Sequence, residues 1–71
     1  MSWHYQIRKR IIGEDEFYDI VEMYHDDNGN HTGWTIDSMS PNGNTKEELI
    51  KDIEMMLADA NKHPVFEDKD V

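Results

Sequence analysis

The chain contains no cysteine among its 71 residues. Disulfide bonds, thiolate metal sites and cysteine nucleophiles are therefore excluded, and an intracellular setting is expected because disulfides are rare there. No apolar run approaches the roughly 18 residues of a membrane span, and no charged leader precedes an apolar stretch at the start. We expect a soluble, cytoplasmic protein that does not bind membranes.

Positive charge is also scarce, since 7 basic residues stand against 16 acidic ones and give a net charge of −9. Three of the basic residues, Arg8, Lys9 and Arg10, lie close together near the start. An acidic surface repels nucleic acid and favours basic partners, although net charge also serves solubility alone. We expect no direct nucleic-acid binding and consider a basic protein as partner.

The chain is too short for a large core, because a protein of this length buries only about 60% of its unfolded surface. Small proteins without disulfides commonly gain stability by self-association. We expect one domain over residues 1–66, an acidic tail over residues 67–71 and a homodimer.

The first half of the chain has the pattern of three antiparallel strands. From Trp3 to Ile12, apolar and polar residues alternate with a period of two, and Phe17 to His25 is rich in aromatic and β-branched residues. Asn28-Gly29 is a strong hairpin signal, because this pair tolerates the positive φ of tight turns. The third strand is expected over residues 31–37.

The turns decide which side chains share a face of the predicted sheet. A first loop over residues 13–16 places Tyr5 opposite Tyr24 on one face. A three-residue second turn with a left-handed Gly29 brings Trp34 and Ile36 to that same face, whereas a two-residue turn sends them to the other. We expect the three-residue turn, because it collects one apolar core, with Glu22 as the polar exception on that face.

The second half of the chain predicts one amphipathic helix. Thr45 and Glu48 have the spacing of a capping box, and Pro64 ends the pattern. The apolar residues form one stripe of helical period: Leu49, Ile50, Ile53, Met56, Leu57 and Ala60. We therefore predict an α+β fold, in which a three-stranded antiparallel meander is followed by a C-terminal helix packed on the aromatic face of the sheet.

Several segments follow one another along the chain in a recognisable order: Tyr18 to Tyr24, Asp27-Asn28-Gly29, Gly33-Trp34-Thr35, the stretch from Pro41 to Leu49, Asp52, Met56-Leu57 and Pro64-Val65. Together they resemble a family of very small uncharacterised bacterial and phage proteins. The resemblance covers most of the chain and implies a β-β-β-α fold, but it brings no activity and no functional residues. Gly-Trp-Thr followed by Thr-x-Glu-Glu-Leu is also similar to antitoxins of the HicB type, although their following strand is not evident.

Catalytic and metal sites find little support in the sequence. The predicted register brings His25 near His31 and His4, where a pair could hold zinc beside Asp26. Such histidines are more often only polar, so we expect no metal and no cofactor. The carboxylates of residues 14–16 lie on a short loop without a pocket, and a single sheet with one helix offers little concavity. We expect no enzymatic activity.

The sheet face away from the predicted helix combines apolar and basic residues, which is typical of an interface. Six of its residues are candidate binding residues: Arg8, Arg10, Phe17, Val21, Met23 and His4. An alternative is that the segment Val65-Phe66 folds back and covers part of this face.

Two functional hypotheses follow from this face and from the acidic charge. The first is a stoichiometric protein-binding module, such as a phage or bacterial inhibitor or an antitoxin-like factor, that acts as a homodimer. The second is a protein that binds a nucleotide-type ligand between two subunits, with Arg8 and Arg10 meeting an anionic group.

Overall fold

The computed structural model describes residues 2–69 and shows one helix with a curled, mixed sheet of four strands. The elements are β1 (Ser2–Ile12), β2 (Asp15–His25), β3 (His31–Trp34), α1 (Lys46–Lys62) and β4 (Phe66–Lys69). The sheet order is β3-β2-β1-β4, with β4 parallel to β1 and the other pairs antiparallel. The α+β class and the antiparallel arrangement of β1, β2 and β3 are confirmed.

The fourth strand was not predicted. Residues 66–69 pair with β1 from Arg8 to Ile11, so the expected acidic tail belongs to the sheet up to Lys69. A parallel partner for β1 becomes available because the helix carries the chain back to the start of the hairpin. The last two residues of the predicted tail, 70 and 71, lie outside the described residues.

The β1–β2 hairpin turns more tightly than expected. Its loop is Gly13-Glu14, and Gly13 has the positive φ of +62° that a type II′ turn needs at its first central position. Tyr5 consequently lies opposite Glu22 and not opposite Tyr24. This register differs by two residues from the predicted one, and a slip of two keeps every side chain on its predicted face.

The turn between β2 and β3 contains the predicted left-handed glycine, since Gly29 has a φ of +83°. His25 pairs with His31, but an additional residue between His31 and Gly33 shifts the register, so that Trp34 pairs with Met23. This bulge turns Trp34 to the face opposite to the one predicted. Ile36, which was expected in the core, is 81% exposed beyond the end of β3.

The two outer strands of the sheet curl towards each other. The rings of Trp34 on β3 and Phe66 on β4 meet edge to face, with their centroids 5.0 Å apart. Both lie on the face that carries Val21 and Met23, which are almost fully buried. The sheet face that was predicted to be open therefore forms the core of the curled sheet.

A buried ion pair lies within this core. The Arg8 side chain is 1% exposed, and its guanidinium donates two hydrogen bonds to Asp19, of which the one from Nε to Oδ1 measures 2.9 Å. Its Nη1 lies 3.7 Å from a carboxylate oxygen of Asp68 on β4. The hydrogen bonds from Arg8 and then from Ser38 hold the pKa of Asp19 below its ordinary value, although burial acts against this.

The start of α1 is capped, with one change from the predicted box. The Thr45 hydroxyl oxygen accepts the Glu48 amide hydrogen at 3.1 Å, as expected. The Glu48 carboxylate, however, accepts from the amide of Asn44 at 2.8 Å and not from that of Thr45. His63 caps the end of the helix, and its amide donates to the Asp59 carbonyl.

Within the part of the chain that the structure describes, no helix is long and apolar enough to cross a membrane.

Replacing Asp19 with Asn tests the buried ion pair. The variant leaves the guanidinium of Arg8 buried without its main counter-charge, and we expect a loss of about 3 kcal/mol in the free energy of unfolding. Asp68→Asn is the matched control, because the Asp68 carboxylate lies farther from the Arg8 guanidinium and is more exposed than that of Asp19. This variant should lower the free energy of unfolding by less than about 1 kcal/mol. Urea unfolding measures both, and equal losses would contradict the assignment.

Acid should destabilise the protein through the same carboxylate. Because the pKa of Asp19 is lower in the folded protein, its contribution is complete above the unfolded value of about 3.9 and is lost as the pH falls below it. Thermal melts between pH 5 and pH 2 should show this loss, with a shallower slope in Asp19→Asn. An unchanged slope in the variant would assign the acid sensitivity to other carboxylates.

Candidate binding surface

Three of the six predicted binding residues are inaccessible. Arg8, Val21 and Met23 are at most 2% exposed, so the expectation that they form an open surface is wrong. Trp34 and Phe66 close over the face that carries them. The alternative that the segment Val65-Phe66 covers part of this face is confirmed by the position of Phe66.

The other three predicted residues do not form one group, because His4 lies apart from Arg10 and Phe17. Arg10 pairs with Phe17 near the closed end of the hairpin, and both line a shallow cavity there. His4 lies six positions earlier on β1, which corresponds to about 20 Å along a strand. The predicted set of six residues therefore does not form one site.

Polar contacts set the rotation of α1 on the sheet. Asp59 accepts the backbone N–H of Tyr5 at 3.0 Å, and Asp52 accepts the Tyr5 hydroxyl at 2.7 Å. Burial, followed by the hydrogen bond to Asp52, raises the pKa of Tyr5 well above its ordinary value. Of the helix residues, all of which the structure describes, only Met56 is buried. The side of the helix that meets the sheet thus carries two carboxylates beside Met56.

This rotation leaves much of the predicted apolar stripe uncovered. Ile50, Ile53 and Leu57 are 42%, 47% and 64% exposed. They follow one another at spacings of three and four residues and so form a continuous row along one side of α1. We refer to these three residues as the helix stripe.

An apolar groove continues the helix stripe towards the sheet. It has a volume of about 340 Å³ and is joined to the stripe by Leu57, which lines it. Its other lining residues are Ile7, Tyr18, Asp19, Ile20, Met56 and Ala60. Tyr18 is largely exposed at its edge. The helix stripe and this groove together form the candidate binding surface.

Acidic residues border the helix stripe on one side. Glu54 is four residues after Ile50, and Glu47 is three residues before it, so both lie beside the stripe on the helix surface. Both side chains are exposed. Lys46 is the basic neighbour at the start of the helix. The border is therefore mainly negative, in keeping with the net charge of the chain.

All four histidines of the chain meet at the open end of the hairpin. The ring of His4 stacks on that of His63, with centroids 3.6 Å apart and planes inclined by 18°. The centroids of His25 and His31 lie 5.0 and 5.7 Å from that of His4. The predicted proximity of His25 to His31 and His4 is confirmed, whereas the position of His63 depends on the packing of α1. We refer to these four residues as the histidine cluster.

Hydrogen bonds engage several ring nitrogens of the histidine cluster. His4 Nδ1 lies 3.0 Å from His25 Nε2, and His4 Nε2 lies 2.8 Å from the Gln6 side-chain oxygen. His25 Nδ1 is 2.7 Å from the Ser2 hydroxyl oxygen.

Among residues 2–69, no group of three or more histidine, aspartate or glutamate side chains is arranged so that it could hold a metal ion.

A second cavity, of about 480 Å³, lies on the other side of α1. Its lining includes Trp3, Tyr5 and the acidic residues Glu22, Glu48 and Asp52. Several of these groups already have partners, since Glu22 accepts from Tyr24 at 2.9 Å and Asp52 accepts from Tyr5 and Asn42. The cavity is more polar than the apolar groove, and its polar groups contribute to the docking of the helix.

Comparison with known proteins gave no match: no family model fits the chain, and neither the curated proteins nor the solved structures include a significantly similar one. The resemblance to very small bacterial and phage proteins therefore stays a prediction.

Two alanine substitutions on α1 test the rotation of the helix. Met56→Ala removes the one buried helix side chain and should cost about 2 kcal/mol in the free energy of unfolding. Ile53→Ala removes a half-exposed side chain of similar size and should cost clearly less than 1 kcal/mol. Urea unfolding compares the two variants. A larger loss for Ile53→Ala would place the helix stripe, and not Met56, against the sheet.

Proposed function

We propose that this chain is a non-enzymatic protein-binding module that acts stoichiometrically, as a bacterial or phage inhibitor or an antitoxin-like factor does. Its binding surface is the helix stripe with the adjoining apolar groove. The partner is a basic protein that presents apolar side chains to the groove. The observation that carries this proposal is the exposure of Ile50, Ile53 and Leu57 on a helix whose sequence pattern is suited to burial.

The size and composition of the surface support protein binding. Contiguous apolar patches with a polar border are typical of interaction sites in soluble proteins. A row of side chains at helical spacing, next to a groove, suits a partner helix or an extended segment with apolar anchors. Leu57 lies at the junction of the stripe and the groove, where an anchor residue of the partner would contact both.

The lining of the groove favours binding over catalysis. Its one carboxylate, Asp19, is already engaged by Arg8 and Ser38. No other ionisable side chain of the lining is available to form an acid–base pair with the Tyr18 phenol. This supports a module that binds its partner without transforming it.

Charge complementarity favours a basic partner. Glu47 and Glu54 border the helix stripe, and the chain as a whole carries a net charge of −9. Attraction between opposite charges accelerates association and makes it sensitive to salt. A second copy of this acidic chain would meet the same negative border, which opposes self-association through this surface.

The hypothesis of a nucleotide-type ligand loses its main support. It relied on Arg8 and Arg10 to meet a phosphate, and the guanidinium of Arg8 is buried and bonded to Asp19. The expected homodimer relied in part on the sheet face that Trp34 and Phe66 cover, and in part on the small core of a short chain, so it stays a prediction. We also propose a cytoplasmic location, because the chain contains no cysteine and cytoplasmic proteins rarely depend on disulfides.

A charged substitution within the helix stripe tests the proposed function. Affinity capture with the wild-type chain, followed by isothermal titration of the purified partner, should give a stoichiometric complex that weakens with salt. Ile53→Glu should reduce the affinity at least about tenfold, which corresponds to about 1.4 kcal/mol, by placing a charge in the apolar contact. Ile36→Glu is the matched control, because it adds the same charge at an exposed position away from α1, and it should bind normally.

Two results would contradict the proposal. If Ile53→Glu binds as tightly as the wild type while Ile36→Glu does not, the binding surface lies elsewhere. If sedimentation shows a dimer that Ile53→Glu dissociates, the helix stripe is occupied by a second copy and not by a basic partner.

A basic partner is supported if Glu54→Lys weakens the complex and reduces its dependence on salt.

A further inference from the structure

The histidine cluster has no part in the proposed binding surface, yet it contains every histidine of the chain. Its members come from β1, β2, β3 and the residue that caps α1. Imidazole is the side chain whose ordinary pKa lies closest to neutrality. The hydrogen bonds of His4 and His25 indicate where the protons of these two rings lie.

The proton positions follow from groups that can only accept. The Pro64 carbonyl accepts from the Gln6 side-chain amide at 2.8 Å, which turns the Gln6 oxygen towards His4. This oxygen can only accept, so the proton of neutral His4 lies on Nε2 and its Nδ1 is an acceptor. His25 must then donate from Nε2, and its Nδ1 accepts from Ser2. With both rings neutral, the side chains form one continuous chain of donors and acceptors that ends at the Pro64 carbonyl.

Added protons disturb this chain. If His4 is protonated, its Nδ1–H faces the Nε2–H of His25, and the bond between them survives only if the proton of His25 moves to Nδ1. If both rings are charged, two donors face each other and the bond is lost. A charged His63 would also lie 3.6 Å above His4, so that cations in both rings repel at close range. The hydrogen bond between His4 and His25 is therefore compatible with one added proton after rearrangement, but not with charge on both rings.

The surroundings of His63 offer little compensation for positive charge. From the sheet, His4, His25 and His31 face this part of the structure. From α1, Lys62 is basic, and Asp59 is the carboxylate that favours the charged form. Burial, followed by the nearby His4, lowers the pKa of His63 below its ordinary value.

The histidine cluster lies next to the segment that leads into β4, the strand that helps to close the sheet. His63 ends α1, the Pro64 carbonyl is held by Gln6, and β4 begins at Phe66. The ring of Phe66 then packs on Trp34 over the buried face. Loss of the contacts at residues 63 and 64 would free the segment that leads directly into β4.

We propose that the histidine cluster is a proton-operated latch, which holds the end of α1 and the start of β4 against β1 at neutral pH and releases them as the pH falls from 7 towards 5. The ligand that operates this latch is the proton, which binds to the imidazole rings. Release separates Phe66 from Trp34 and uncovers the sheet face that carries Val21 and Met23.

The direction of the effect follows from the folded and unfolded states. The unfolded chain binds a proton at an ordinary histidine pKa of about 6.5, whereas folded His63 binds it only at lower pH. The stability that depends on neutral His63 is complete above about pH 6.5 and is lost as the pH falls towards the folded value. Because the carboxylate of Asp19 titrates below about pH 4, its loss falls outside this window.

The test uses Trp34 as a reporter of closure. In a Trp3→Phe background Trp34 is the one remaining tryptophan of the chain. Between pH 7.5 and 5.5 we expect its emission to shift to the red and the melting temperature to fall by on the order of 5 °C. His63→Phe keeps a ring against His4 without a titratable group, and it should remove at least half of both changes. His31→Gln is the matched control at the exposed edge of the cluster and should retain most of them.

Two outcomes overturn the latch: unchanged emission and melting temperature of the parent between pH 7.5 and 5.5, or a full pH response in His63→Phe. If His63→Phe does not fold, proton NMR of the wild-type chain decides. The latch requires the His63 ring to titrate below about 6.5, with the amide signals of β4 shifting at the same midpoint. If the β4 signals do not move with the His63 ring, the latch is refuted.

Discussion

A buried guanidinium is the constraint on which this fold depends. Arg8 lies on a central strand with almost no exposure, and a charge taken out of water must be paired by groups of opposite sign. Asp19 on β2 and Asp68 on β4 provide this pairing, so one cation connects three strands. The core is consequently small and partly ionic. Among the described residues, Val21 and Met23 are the buried hydrophobic side chains on the Arg8 face, whereas Tyr5 and Met56 are buried between the sheet and α1.

The position of the core explains the loose packing of the helix. Because Trp34 and Phe66 complete the core on the far side of the sheet, α1 does not need to deliver its whole apolar side to the interior. It docks through hydrogen bonds from Tyr5 to two carboxylates, and its most apolar side remains in water. Exposed apolar surface on a helix lowers solubility unless a partner covers it. The same docking that stabilises the monomer thus creates the surface that we propose for binding.

The curled sheet is held near both ends by groups that respond to protons differently. Near one end, the carboxylate of Asp19 must be charged to neutralise Arg8. Near the other, the imidazoles of the histidine cluster must be mostly neutral to keep their hydrogen bonds. This arrangement gives a small protein without disulfides a closed structure, and it ties that closure to the charge state of a few side chains.

The sequence alone determined the local elements, because turns, caps and periodic patterns act between near neighbours. The first three strands, the left-handed Gly29, the Thr45 cap and the helix were all recognisable in this way. Only the tertiary structure decided on which face Trp34 lies and which face of the sheet the outer strands close. One additional residue near Thr32 turned Trp34 over, and the pairing of β4 with β1 joins segments about 58 residues apart, as between Arg8 and Phe66. Such pairings depend on the competition of whole surfaces for burial, which no local pattern records.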